Sequence, residues 1–240
     1  MSGPKPALSA AALPLGGRGR YDHVIWDWNG TLLDDVGFSV ELMNGLLDQG
    51  ALPTIDLTRY RDLFDFPIRR YYERAGFDLS SHGEFERLGR AWMDAYDLGR
   101  LRCALQKGAR EILAAIQSAN ITQSILSAYP RCSLETIVEH FELGEYFVEV
   151  LGLDDIWARS KLELGRRWLS RLGFPPSRIL MVGDTLHDLE VAQTLGIDCA
   201  LVDAGHQSSQ RLRKETSQVF TSLLDLRDLI GLPQCPTVTD

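Results

Sequence analysis

The chain has 240 residues, 45% hydrophobic and 24% charged, and a formal net charge of −8. That length suits one large domain, or one domain carrying an inserted smaller one, and the composition is that of a chain that buries a real core. A net acidic chain is a poor general binder of nucleic acid or anionic membrane, and no apolar run approaches the ~20 residues needed to span a bilayer.

Residues 1–20 are rich in Ala, Gly, Pro and Leu, with Arg18 and Arg20 late in the segment. A secretory signal would place its positive charge first, so the segment is expected to be a disordered leader. Val24, Ile25 and Trp26 form a short apolar run that ends in Asp27, followed by the turn residues Asn29-Gly30-Thr31. That pattern predicts a strand closing on a carboxylate, then a turn whose amides can hold an anion.

The stretch 36–103 has helix-length patterns, many Arg and aromatic residues and no convincing buried strand. Beyond it the chain alternates. Helices are predicted over 107–119, 131–140, 161–172, 186–195 and 222–230, and strands over 121–126, 148–151, 179–182, 197–202 and 218–221. Ser127-Ala128 is expected to close the strand 121–126. Strands alternating with helices imply βαβ units and a parallel sheet.

The expected fold is therefore α/β, a Rossmann-like parallel sheet built from 21–34 and 104–232. A helical subdomain is inserted at 35–103, because a gap of that length is poorly explained as a loop. The tail 233–240 is expected to be flexible. The four cysteines, Cys103, Cys132, Cys199 and Cys235, form no CxxC pair. Their spacing argues against structural zinc and a disulfide framework, and a reducing cytoplasm is the default setting.

In an open parallel sheet, ligands bind beyond the carboxyl ends of strands. Asp27 is placed there, and so is Asp184 after the strand 179–182; Asp188 follows one helical turn later, facing back to the sheet. Each has an ordinary explanation alone, a turn carboxylate for Asp27 and a dipole-favoured helix start for Asp188. Together, three carboxylates would repel one another without a cation, and oxygen ligands of this kind suit Mg²⁺. Ser127, at a strand end, has a hydroxyl and an amide to offer an anion. Lys161 opens a helix and is one of only four lysines among 25 basic residues, although a solvated surface lysine is the ordinary reading.

The order Asp27-Trp28-Asn29-Gly30-Thr31, Ser127, Lys161 and Gly183-Asp184-Thr185-Leu186-His187-Asp188 resembles the haloacid dehalogenase-like hydrolase superfamily. Its motifs run DxDGT, Ser/Thr, Lys, GDxxxD. The resemblance covers about 22–230 and is nearest the phosphoglycolate phosphatase-like branch, which carries a helical cap after the first motif. Phe66-Pro67 and Val202-Asp203-Ala204-Gly205-His206-Gln207-Ser208 are also similar to that branch.

The resemblance implies a phosphatase acting on a small phosphate ester. Asp27 would attack phosphorus and form an aspartyl-phosphate. Asp27, the Asn29 backbone carbonyl, Asp184 and Asp188 would hold Mg²⁺. Thr31, Ser127 and Lys161 would bind the phosphoryl oxygens.

One position departs from the pattern. These phosphatases usually carry Asp where this chain has Asn29, and that Asp protonates the leaving oxygen and then activates water. An amide cannot transfer a proton so, and losing such help costs about 10²–10⁴ in rate. Asn29 is also the one feature that favours an alternative, a phosphate-binding protein of this fold with little turnover. A dehalogenase of the superfamily typically has Tyr at that position, and a phosphonate-cleaving relative needs a cap lysine, which 35–103 lacks. Of the insertion's Arg59, Arg61, Arg69, Arg70, Tyr71 and Tyr72, Arg69 or Arg70 is a candidate to grip a substrate carboxylate or second phosphate. Trp28 is expected to point toward the insertion or, equally, to pack; His187 is expected to face away from the carboxylates, and His206 is a candidate substitute acid.

Overall fold

The structure is a computed structural model that describes residues 19–153 and 161–232. Most of the expected leader and all of the expected tail lie outside these residues. In chain order the elements begin with β1 (His23–Trp26) and β2 (Leu33–Asp34). Helices α1 (Val36–Gln49), α2 (Leu57–Leu63), α3 (Ile68–Ala75) and α4 (Glu84–Gly99) follow, then β3 (Ala104–Leu105). The alternating part comprises α5 (Ala109–Ser118), β4 (Thr122–Pro130), α6 (Arg131–His140), β5 (Glu149–Leu153), α7 (Lys161–Leu172) and β6 (Ile179–Gly183). It ends with α8 (Leu186–Leu195), β7 (Asp198–Val202), α9 (Ser209–Glu215), β8 (Val219–Phe220) and α10 (Leu226–Ile230).

Six strands pair in the order β5-β4-β1-β6-β7-β8, all parallel. β1 lies centrally and is buried throughout, as a strand covered on both faces must be. Its period of two divides its side chains between two cores. Val24 and Trp26 pack with Ile112, Ile116 and Ile137, whereas Ile25 packs with Leu126, Trp168 and Met181 on the opposite face. The connections leave β1 toward β4 and β5, then return to its other side at β6. The carboxyl end of β1 therefore sits at a topological switch point.

The helices α1–α4 take no part in this sheet. They bury their own apolar cluster around Met43, Leu47, Tyr60, Leu63, Tyr71 and Leu88. A two-stranded antiparallel ribbon, β2 with β3, pins the two ends of the insertion together. Strands of two residues give almost no periodic signal, which is why the sequence did not reveal the ribbon. Two other elements differ from expectation. The strand expected to close at Ser127 runs on to Pro130, with a shift of register against β5 between Leu126 and Pro130. The helix expected over 222–230 splits into a 3₁₀ turn at Leu223–Asp225 and α10.

Candidate active site

The sheet brings four of the predicted residues to one place. Asp27 follows the last residue of β1, and its amide is fixed by the Val182 carbonyl of β6 at 2.8 Å. Asp184 follows β6, Asp188 lies in the first turn of α8, and Lys161 is the first residue of α7. Carboxylate oxygens of Asp27, Asp184 and Asp188 lie within 4.8 Å of one another. The Lys161 Nζ donates to Asp27 Oδ1 and to Asp188 Oδ1, both at 2.5 Å. All four residues are buried.

Asp188 serves the start of its helix and also joins the carboxylate cluster. Its Oδ2 accepts from the amide and hydroxyl of Thr185 at 3.0 and 2.7 Å and closes a capping box at the start of α8. Its Oδ1 faces Lys161. Asp184 is held as firmly. Thr31 Oγ1 donates to its Oδ1 at 3.1 Å and the His206 amide donates to its Oδ2 at 2.6 Å. A Cβ at Gly30, whose φ is +72°, or at Gly205 would stand 2.3 or 2.1 Å from Asp184 Oδ2. Glycine at both positions lets the backbone close on that carboxylate. Thr31 is wholly buried and is not among the residues that line the cavity, so its hydroxyl serves Asp184. Ser127 does line the cavity.

Three carboxylates face one ammonium in a buried cluster, a deficit of two positive charges when all three are ionised. Burial pushes the Asp27 carboxyl up to about 8, with Lys161 opposing and the two other aspartates adding to the rise. Burial likewise raises Asp184 to about 6. Burial works against the Lys161 charge, but Asp188 and Asp27 outweigh it and hold the amine protonated. An all-oxygen donor set with a deficit of two positive charges fits a hard divalent cation, and Mg²⁺ is the common one.

A second polar cluster, not anticipated from the sequence, adjoins this one. Asp35, at the N-cap of α1, accepts from the Gly30 amide at 2.8 Å, Tyr96 Oη at 2.7 Å and Asn29 Nδ2 at 2.9 Å, and pairs with His206 Nε2 at 3.3 Å. Burial opposes its charge, but the His206 imidazolium outweighs that and holds Asp35 below the usual carboxylate range. An ionised carboxylate only accepts, so it fixes which end of the Asn29 amide faces it. Asn29 Nδ2 also donates to Tyr96 Oη at 2.6 Å. The acidic pair Asp34-Asp35 was visible in the sequence, but not the inward turn of the second carboxylate.

His206 does enter the site. Burial disfavours its charge, yet Asp35 overrides this and lifts it to about 9. Both ring nitrogens are engaged, Nε2 by Asp35 and Nδ1 by Tyr60 Oη at 2.8 Å. A substitute acid needs a ring nitrogen open to the substrate, and His206 has none.

The insertion covers the carboxylates, leaving a cavity of about 350 Å³ between them and α1–α4. Arg61 reaches from α2 to the carbonyls of Gly205 and Ala204 at 2.9 and 2.7 Å, and Arg211 returns the contact to the Phe64 carbonyl at 2.6 Å. Arg69 lines the cavity; Arg70 does not and is exposed. His187 lines it as well, stacked on Phe66 at 4.6 Å, so its ring looks toward the insertion. Of the two placements open for Trp28, the insertion or the core, it takes the second, wholly buried near Phe141.

Stability without a metal should fall as pH rises from 7 to 9. The native state keeps protons on Asp27 to about pH 8 and on His206 to about pH 9, whereas the unfolded chain has shed both by pH 7. The native state therefore binds more protons, and the slope of stability with pH is negative. At about 1.4 kcal/mol per proton per pH unit, the loss across the window is about 3 kcal/mol, or roughly 6–12 °C in Tm. Calorimetry at pH 7 and 9 checks it, in chelator and in excess Mg²⁺. Mg²⁺ should narrow the gap by keeping Asp27 ionised; a higher Tm at pH 9 in chelator would contradict the assignment.

The haloacid dehalogenase-like hydrolase family model matches residues 24–202, most of the chain. The chain is 31% identical over 196 residues to an N-acetylmuramic acid 6-phosphate phosphatase of Pseudomonas aeruginosa, covering 79% of this chain and 84% of that one. It is 29% identical over 195 residues to a phosphoglycolate phosphatase of Synechococcus elongatus, covering 79% and 87%. The fold is similar to that of a haloacid dehalogenase-like family hydrolase of Streptococcus pneumoniae, with a TM-score of 0.74 at 15% identity over 88% of this chain and 98% of the other. The chain belongs to the haloacid dehalogenase-like hydrolase family. It is an enzyme, and relatives of this kind support a hydrolase of phosphate esters.

Proposed function

We propose that the chain is a Mg²⁺-dependent phosphatase of a small phosphorylated metabolite, working through an aspartyl-phosphate on Asp27. The observation that carries the reading is the buried Asp27–Lys161–Asp188 cluster with Asp184 beside it, at the carboxyl ends of β1 and β6. Asp27, the Asn29 backbone carbonyl, Asp184 and Asp188 would hold Mg²⁺. Bound there, the ion would neutralise charge on the phosphoryl oxygens.

The chain's own residues divide the remaining work. An Asp27 carboxylate oxygen bonds to phosphorus as the bond to the ester oxygen breaks, and the electron pair leaves on that oxygen. Lys161 offsets the crowded carboxylates and, with Ser127, binds the phosphoryl group as charge moves onto its oxygens. Thr31 and the backbone of His206 orient Asp184. Water then attacks the acyl-phosphate and frees Asp27. Residues 35–103 act as a cap on the core of 21–34 and 104–232, opening for substrate and closing to exclude water.

A second reading, phosphate binding with little turnover, draws on Asn29, which has no acidic proton to give a leaving oxygen and is tied to Asp35 and Tyr96. A panel of phosphomonoesters with and without Mg²⁺ separates the two. Turnover that needs Mg²⁺ supports the phosphatase; phosphate binding without turnover of any ester supports the second reading. The partner in either case is a small phosphate ester, with no nucleic acid. Among the described residues no helix is long and apolar enough to cross a membrane. Cys103, Cys132 and Cys199 are free thiols, which agrees with a cytoplasmic setting.

A further inference from the structure

We infer that the esters taken by this site are aryl phosphates, compounds whose phosphoryl group is carried by a phenolic oxygen on a ring that lies in an aromatic slot above Asp27. The inference rests on the phosphatase reading and deepens it. Two independent observations lead to it, one from the walls of the cavity and one from the leaving-group position.

The cavity above the carboxylates is lined with rings from both sides. On one side Phe64 meets Tyr71 at 5.3 Å and His206 at 4.8 Å, and Tyr60 meets Tyr71 at 5.8 Å. On the other, Trp92 stacks on Tyr96 at 4.8 Å, and Tyr96 meets Tyr129 edge-on at 5.5 Å. All of these residues line the cavity. Offset and edge-to-face contacts of this kind are what a further ring joins best. The Tyr71 hydroxyl is buried and has no hydrogen-bond partner among the described residues. An unpaired buried hydroxyl is costly, so it is a ready partner for a polar substituent on the bound ring.

The same walls offer little to an anionic organic group. Among the described lining residues the cations are Lys161, His206 and Arg69. Lys161 is held by Asp27 and Asp188, and His206 by Asp35. Arg69 donates to the Leu79 carbonyl at 2.8 Å, pairs with Glu73 at 3.4 Å and lies over the Phe85 ring. A second phosphate or a carboxylate on the substrate therefore meets no unengaged charge there.

The leaving-group side agrees. Asn29 has no proton to give, Asp35 is saturated with donors, and neither nitrogen of His206 is open. With no acid at position 29, the ester oxygen departs with little proton help, as an anion. A phenol ionises near pH 10, an alkanol near water's value of about 15.7, so phenolate leaves with far less need of an acid. The balance is simple. Asp27 oxygen bonds to phosphorus, the P–O(aryl) bond breaks, and its electron pair departs on phenolate, which is protonated by solvent. One water then cleaves the acyl-phosphate to inorganic phosphate and free carboxylate.

Calorimetric titration with stable phosphonates tests the slot without turnover, and a turnover panel runs beside it, both in Mg²⁺. Phenylphosphonate should bind at least tenfold more tightly than methylphosphonate, and phosphoglycolate should compete at least tenfold more weakly than phenylphosphonate. Trp92→Leu should shrink the phenyl-to-methyl ratio to about threefold or less, and Trp92→Phe should restore it, which loss of fold alone would not do. Acetyl phosphate supplies a good leaving group with no ring. If acetyl phosphate is hydrolysed and phenylphosphonate binds no better than methylphosphonate, the phosphatase stands and the aryl assignment is overturned. If no phosphonate binds and no ester turns over, both fall.

Discussion

Asp27→Asn is expected to abolish turnover of every ester, by about 10⁴-fold or more, with the fold intact. The size follows from removing the group that forms the covalent bond, for which no neighbour can substitute. Asp184 has one oxygen on Thr31 and the other on the His206 amide. Asp188 is held by Lys161 on one side and by its capping box on the other. Neither is free to swing onto phosphorus. The fold should survive because burial already disfavours the Asp27 charge, and Lys161 keeps Asp188 as a partner when the amide replaces the acid. Melting and turnover measured on the same sample decide the matter. Unchanged Tm with lost activity is expected, and retained activity would sink the covalent mechanism.

Asn29→Asp should act in the opposite direction, raising turnover of alkyl phosphates by up to about 10² through the restored acid, while aryl phosphates, limited by the water step, gain only what base the new carboxylate supplies. Restored acid help matters most where the leaving oxygen is most basic. The environment sets a condition on the size. The new carboxylate would stand where Asn29 Nδ2 now lies, 2.9 Å from Asp35, and two carboxylates so close cannot both ionise. One proton would be shared, which keeps an acid available but weakens the base that activates water. The swapped pair Asn29→Asp with Asp35→Asn keeps one charge and one amide facing each other, and should give the larger gain. Asn-Gly sequences also deamidate, so intact mass must be checked before weak wild-type activity is credited to Asn29. If verified Asn29→Asp protein, alone and in the swapped pair, leaves alkyl-ester rates unchanged, another residue supplies the proton or the chain is not chiefly a phosphatase.

The core could be read from the sequence because its signals are local. A buried strand such as Ile179–Gly183 is a continuous apolar run, and a helix such as Lys161–Leu172 is stopped by Gly173 and the Pro175-Pro176 pair. Asp27, Asp184, Asp188 and Lys161 sit at ends of such elements, so topology alone brings them together. What escaped the sequence depends on side-chain direction and distant pairing. Asp35 reads as one more acid before a helix, and only the fold turns it onto Asn29. Trp28 was left between the insertion and the core, and only the fold shows that its ring packs inward. The engagement of Arg61 with the carbonyls of Gly205 and Ala204 joins positions more than 140 residues apart, which no window of sequence contains.

The covalent intermediate on Asp27 would form in a site with no carboxylate at position 29 to activate water. The second step should therefore be slow and the intermediate should accumulate. Rapid mixing of wild-type protein with an aryl phosphate and Mg²⁺ reads this directly, with borohydride added to reduce any aspartyl-phosphate to homoserine. A burst of phenolate approaching one equivalent per chain is expected, then a slow linear phase, with homoserine found at position 27 only when substrate and Mg²⁺ are both present. Linear release from the first turnover, with Asp27 unmodified at every time point, would contradict it.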